Sequence, residues 1–314
     1  MRLGTQDGLA AMGLVGSYVA TLQTAAAIAR RKITFVATTT SIRFGAYILA
    51  LLSLGIAAEA QQATEHAHIE LLSRQDSVVP GSDLQLGVHF VLEPGWHIYW
   101  INPGDSGQPP AFQWQLPKGF SAGEIQWPRP ERMQPIKELA DYGYRDDVLF
   151  IVPIHVSRSV ATSGPSATPF VVEVKWLICR EVCLPEHARL QLGLPRAARA
   201  KENPSSAKLF ADAEKLLPKP LPRDWKASVT SAKDDFVLAI VAGSRITHAE
   251  FFPLDPGQID NPAPQKTQPS ATGVKITLKK SDLLLKPITV LRGVLVIPGK
   301  PAYRIEAPVR EPIQ

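Results

Sequence analysis

From His68 onward apolar and polar residues alternate in short runs, and long helical periods are missing. Leu84 to Leu92 alternates, as does Trp96 to Trp100, and both runs end in turn formers, Glu93-Pro94-Gly95 and Asn102-Pro103-Gly104. The same reading predicts strands at 112–116, 123–127, 148–155, 170–178 and 188–194. Strands at this spacing between Gly/Pro turns predict a β-sandwich over residues 61–195, with the Ser/Thr/Ala-rich stretch 157–168 as an exposed hairpin loop. After Pro195 the pattern changes. Residues 196–222 hold one short predicted helix, Ser205 to Leu217, with Ser205 as its cap and Phe210, Ala213, Leu216 and Leu217 on one face. Pro218-Lys219-Pro220-Leu221-Pro222 cannot continue that helix and reads as a stiff linker. Strand patterns resume at 227–230, 236–241, 250–252, 274–278, 288–297 and 302–305, which predicts a second, smaller sandwich over 223–314. Its stretch 253–270, with five prolines, reads as a long surface loop.

Composition supports a mainly β chain. The 28 prolines fall mostly at the edges of apolar runs, where turns join strands. The formal charge of +5 invites an anionic partner, but five basic and only two acidic side chains lie in residues 1–60, leaving +2 for the rest. Residues 61–314 contain no basic run interleaved with aromatics, so no nucleic-acid partner is expected. Residues 1–60 read as a leader. Basic residues up to Arg43 precede the apolar run Phe44 to Ala58, and Ala58-Glu59-Ala60 is a small-x-small cleavage pattern, so export to the periplasm with cleavage near Ala60 is expected. The run is shorter than the ~20 residues of a membrane-spanning helix, and an uncleaved inner-membrane anchor is the alternative. Residues 1–40 are long for such a signal, which points to a start codon downstream of Met1.

The two cysteines of an exported chain meet an oxidising compartment. Cys179 and Cys183 stand four positions apart, between one predicted strand and the next, where a tight connection brings two Cα atoms within disulfide reach. A bridge closing so short a loop contributes only about 2 kcal/mol in the chain-entropy picture. Thiol–disulfide exchange needs one reachable sulfur and a second close enough to resolve a mixed disulfide, and this spacing supplies both. Arg180 between them favours a thiolate, whereas Glu181 opposes it. A structural bridge, or a soft metal held by two thiolates, fits the spacing as well. Further metal ligands are scarce: Met133 is the one methionine after the leader, and the histidines lie in or beside strand patterns or near the new N-terminus. There is no glycine-rich phosphate loop and no serine in a nucleophile setting, so neither a cofactor nor a metal site is expected.

Several separated segments resemble a known family. Trp96 to Gly107 (Trp-His-Ile-Tyr-Trp-Ile-Asn-Pro-Gly-Asp-Ser-Gly), Ile125 to Pro130, Tyr142-Gly143-Tyr144, and Lys175 to Cys179 through Cys183-Leu184-Pro185 look like the N-terminal periplasmic domain of the thiol:disulfide interchange protein DsbD, in its ScsB-like branch associated with copper tolerance. The likeness is strong over roughly 66–195. Phe251-Phe252-Pro253 and Leu291 to Leu295 resemble the second β domain of that branch less specifically. The resemblance implies two immunoglobulin-like β-sandwich domains and protein-disulfide reductase activity. Cys179 and Cys183 would be the catalytic pair, taking electrons from a thioredoxin-like or membrane electron-donor protein and passing them to oxidised periplasmic clients. It also implies a cap loop at Glu138 to Gly143, with Tyr142 as lid and Asp141 or Glu138 assisting proton transfer. The plainer reading packs Tyr142 and Tyr144 on the sandwich edge, and treats Trp96, Trp100 and Trp127 as bracing. No second Cys pair follows residue 195, so the donor is expected on another polypeptide. The alternative function is a non-enzymatic binding or copper-handling β-sandwich protein with a structural disulfide.

Overall fold

Burial alternates with period two along most of 168–178 and 186–194, as the alternation predicts. The computed structural model describes residues 62–133, 138–161 and 167–311, all within one compact unit, Ile56–Gln314. The predicted leader, cleavage site and alternative anchor lie outside the described residues. Among those residues no helix is long and apolar enough to cross a membrane.

The first part comprises β1 (Gln62–Ala63), β2 (Ala67–Ser73), β3 (Asp83–Leu92), β4 (His97–Gly104), β5 (Ala111–Gln115), β6 (Phe120–Ala122), β7 (Glu131–Arg132), β8 (Asp141–Arg145), β9 (Asp147–Val156), β10 (Thr168–Cys179) and β11 (Cys183–Leu194). One sheet runs β1-β2-β3-β9-β6. The other runs β11-β10-β4-β8-β7, with β5 also paired to β10. Their facing sides share one core, Ile69, Val88, Phe90, Phe150 and Val152 from the first sheet against Ile98, Trp100, Val172, Val174 and Trp176 from the second. The helix α1 (Ala207–Leu216) covers the other face of the first sheet, burying Phe210 and Ala213 among Leu72, Leu149 and Ile151.

The second part comprises β12 (Lys219–Pro220), β13 (Lys226–Ser231), β14 (Asp235–Val241), β15 (Glu250–Pro253), β16 (Lys266–Ser270), β17 (Gly273–Lys279), β18 (Val290–Val296) and β19 (Tyr303–Arg310). They hydrogen-bond in the order β15-β18-β19-β13-β14-β17-β16, with β12 on β19. β19 pairs antiparallel with β18 up to Pro308, then parallel with β13 at Val309 and Arg310, and so passes from one half to the other. The halves close on a second core that joins Leu238, Ile240 and Ile276 to Phe251, Leu295 and Ile305. Phe252, Val294 and Ala302 of this part pack into the first core.

Four local expectations change. The helix starts at Ala207, one residue later than a Ser205 cap would set it; Ser206 occupies the cap position, but its hydroxyl donates to the Ser73 carbonyl instead of capping. The predicted strand 123–127 is a strand at 120–122 followed by a lone bridge at Gln126. The ladder stops because Ala122 pairs with Ile154 and the next partner, Pro153, has no N–H to give. The proline stretch after Leu217 is not a free spacer, since Lys219 and Pro220 pair with β19. Within 253–270 the last five residues form β16, an edge strand on which Pro269 needs no donor.

Candidate functional site

The hairpin β10–β11 carries the two cysteines to its tip. Its register runs unbroken from Thr168↔Leu194 to Cys179↔Cys183, which sets the two Cα atoms 4.2 Å apart, and the sulfurs are joined. Alternation decides which way they point. Trp176 and Ile178 face the core, so Cys179 lies on the outer face of its sheet, where its neighbour on β4 is His97. Cys179 is only 3% exposed, whereas Cys183 is exposed at the end of β11. The connecting residues Arg180, Glu181 and Val182 are exposed as well. The Arg180 guanidinium lies 5.0 Å over the Trp96 ring, which stacks on His66 at 3.8 Å, so Arg180 braces the tip on an aromatic pile.

Tyr99 is the side chain that touches the bridge. Ile98 and Trp100 of β4 enter the core, and Tyr99 takes the opposite face beside Cys179. Its Oη donates to Cys179 Sγ at 2.9 Å and lies 3.3 Å from Cys183 Sγ. Burial pushes the Tyr99 hydroxyl pKa up, an effect that the Ser106 side chain opposes and the charge of Asp141 reinforces, so the group remains a donor across the physiological range. His97 meets the Tyr99 ring edge-on at 5.4 Å, and its Nε2 is buried without a hydrogen-bond partner among the described residues. Burial lowers the His97 pKa; Asp141 acts against that and Arg145 with it.

A turn holds Tyr99 from the other side. Gly107, at φ +74°, lies flat on the ring, so that a Cβ there would fall 2.1 Å from Tyr99 Cζ. Ser106 donates its N–H and its hydroxyl to Asp141, at 2.9 and 2.6 Å. Asp105 accepts from the Ala140 N–H at 2.8 Å, and the Gly104 N–H donates to Asn102 Oδ1 at 3.1 Å. The arrangement is a disulfide with one open and one covered sulfur, and a neutral donor aimed at the covered one. Chemically it can present Cys183 to a visiting thiolate and solvate Cys179 as it leaves.

Residues 70–195 match the family described as thiol:disulfide interchange protein DsbD, N-terminal. This segment belongs to the DsbD N-terminal family. The N-terminal periplasmic domain of ScsB from Proteus mirabilis superposes with a TM-score of 0.61 at 18% identity, over 80% of this chain and 97% of that one. The shared fold therefore extends past the DsbD N-terminal segment into the second core. The YadV chaperone and the periplasmic chaperone SfaE match at 11% and 9% identity, over 76% and 77% of this chain, with TM-scores of 0.20. No curated protein matches the chain.

Within the DsbD N-terminal segment the predicted site residues divide. Cys179 and Cys183 come together. Asp141 joins them at two removes, through Ser106 and Tyr99. Glu138 is exposed beside residues 134–137, which lie outside the described set. Tyr142 is not a lid over the bridge: it is fully buried in the first core, its hydroxyl donates to Asn261 Oδ1 at 3.0 Å, and burial lifts its pKa well above the ordinary tyrosine value. Tyr142 and Tyr144 are packed residues, as in the plainer reading, but in the first core and not on the sandwich edge; Tyr144 gives its hydroxyl to the Pro128 carbonyl. Trp100 is core, Trp127 packs edge-on to Phe150 at 5.1 Å, and Trp96 braces the hairpin tip. Tyr99, His97, Ser106 and Gly107 were not singled out by sequence reasoning, although all four stand in the segment Trp96 to Gly107 that carries the family resemblance.

Proposed function

We propose that the chain is a periplasmic thiol:disulfide interchange module that relays two electrons through Cys179 and Cys183, from a thioredoxin-like donor to oxidised client proteins. The observation that carries the reading is the asymmetry of the bridge, an exposed Cys183 joined to a covered Cys179 under the Tyr99 hydroxyl. A donor thiolate attacks Cys183 Sγ, the Cys179–Cys183 bond breaks, and a donor–Cys183 disulfide forms while Cys179 leaves as a thiolate. Tyr99 Oη already points at that sulfur and stabilises the charge as it develops. The donor's second thiolate then attacks its own sulfur in the mixed disulfide and releases Cys183. The donor ends oxidised and the module holds the dithiol, having gained two electrons and, after protonation, two protons. The same steps in reverse order of partners reduce a client disulfide.

Trapping tests this reading. Cys179→Ala leaves Cys183 as an exposed lone thiol. Mixed with a thioredoxin-like protein whose resolving cysteine is replaced by serine and whose attacking cysteine carries thionitrobenzoate, it is expected to release the dye and accumulate a stable mixed disulfide. Cys183→Ala, left with a covered sulfur, is expected to react much more slowly. No adduct with either folded variant would overturn the proposal.

A further inference from the structure

The turn that holds Tyr99 is itself tied to the second part of the chain. Asn102, 1% exposed, donates its side-chain N–H to the Pro253 carbonyl at 2.7 Å. Asn261, 5% exposed, donates from Nδ2 to Asp105 Oδ1 at 2.7 Å and accepts from the Tyr142 hydroxyl. Arg132 closes the far side, with its Nε on Glu250 at 2.7 Å and its guanidinium on the Asn261 carbonyl. Phe252 packs edge-on against Tyr142 at 5.2 Å beneath these bonds. Asn102 and Asp105 of the Asn102–Gly107 turn are thus bonded to Pro253 and Asn261, outside the family-matched segment.

We infer that the stretch Pro253–Asn261 is a clamp that fixes the Asn102–Gly107 turn, and through Gly107 the Tyr99 hydroxyl, on the disulfide, with Asn261 as its positioning residue. The inference rests on the proposed exchange chemistry, because it assigns to the second part of the chain the task of keeping the donor aimed at the leaving sulfur. The chemistry of the pair is specific. Asp105 Oδ1 requires a donor at position 261, the Tyr142 hydroxyl requires an acceptor there, and a buried asparagine provides both from one side chain. A carboxylate at 261 keeps the acceptor but turns the other contact into two facing carboxylates.

Dithiothreitol reduction of the folded, oxidised protein is the test, since it needs no biological donor. Cys183 is open already, so loosening the turn affects the leaving sulfur more than access. Asn261→Asp is expected to lower the second-order rate constant about fivefold, below the tenfold that corresponds to a full hydrogen bond to a charged group. In the pair Asp105→Asn with Asn261→Asp, the amide at 105 donates to the carboxylate at 261 and still accepts from the Ala140 N–H. That pair is expected to return within about twofold of the parent rate, since the partners are coupled. A merely structural role would lower the melting temperature and leave the rate of the folded protein unchanged. An unchanged rate in folded Asn261→Asp, or no recovery in the swapped pair, overturns the clamp; if Asn261→Asp does not fold alone, Asp105→Asn against the swapped pair carries the same comparison. A failed trapping experiment with the rate response intact would instead remove the exchange function and leave the clamp standing.

Discussion

Gly107→Ala is the sharpest perturbation of the site. The added Cβ would stand 2.1 Å from Tyr99 Cζ and 2.4 Å from Cε1 and Cε2, where carbon atoms need about 3.5 Å or more, so ring or turn must retreat by on the order of 1.5 Å. Tyr99 Oη starts 2.9 Å from Cys179 Sγ, and a retreat of that size ends the hydrogen bond. The backbone adds its own cost, since φ is +74° and an L side chain there loses roughly 1–2 kcal/mol. With the packing clash, destabilisation of about 2–4 kcal/mol is expected, which a domain of ordinary stability survives. Urea unfolding measures that loss. The informative assay is dithiothreitol reduction of the folded variant, followed by alkylation and mass. If Tyr99 assists departure of Cys179, the rate constant falls about tenfold, the value of one hydrogen bond to a charged group. A rate that rises would show that the turn serves as a shield and that Tyr99 assists nothing; a rate that holds would show that neither matters.

Tyr99→Phe removes the hydroxyl and keeps the ring under Gly107, so it is expected to give the same roughly tenfold slowing in the dithiothreitol assay with a smaller loss of stability than Gly107→Ala. The half-buried His97 and the buried His89 predict opposite pH dependences, read by urea unfolding between pH 5 and 8. His97 is held below its usual 6.5 by burial, so the unfolded chain takes up its proton first, and stability present above pH 6.5 is lost as pH falls toward the depressed value; His97→Gln should flatten that acid-side loss. His89 is raised despite burial, because Asp147 at 2.7 Å and Glu70 at 2.8 Å hold its charged form, so its contribution is full below pH 6.5 and lost as pH rises through the raised value; His89→Gln should destabilise more at pH 5 than at pH 8.

The strands β3, β10 and β11 were legible because polar or small residues fill most of their second face, and alternation then names their core residues with little ambiguity. The cysteine pair was legible for a related reason. A hairpin this long, with Trp176 and Ile178 facing inward, places Cys179 and Cys183 opposite each other by register alone. The rest of the site was hidden by strand order. His97 and Tyr99 lie about 80 residues before the cysteines, and only the adjacency of β4 and β10 joins them. Trp96 to Trp100 reads as alternating, but Ile98, Tyr99 and Trp100 are all buried, so the pattern did not tell which face Tyr99 takes. The chain holds other tyrosines in similar strand settings, and nothing local distinguishes the one that faces sulfur from Tyr142 and Tyr144, which face the core. Proline content misled at 253–270 because proline marks an edge strand as readily as a loop. Asn261 could not stand out at all: its two partners, Asp105 and Tyr142, are far away in the chain and meet only when the second core packs on the first.

Magnitudes also bear on why the bridge is there. The closed loop spans a separation of four residues, so its entropic contribution to stability is about 2 kcal/mol. The hairpin it joins is already held by a continuous ladder from Thr168 to Cys179, by β4 and β5 along its other edge, and by Arg180 on Trp96. Cutting the bridge would therefore remove little that the ladder does not supply, and the reduced protein is expected to keep its fold. A bond that contributes so little to stability, with one end open, the other covered and the Tyr99 hydroxyl donating to the covered sulfur, is better explained by its breaking than by its closure.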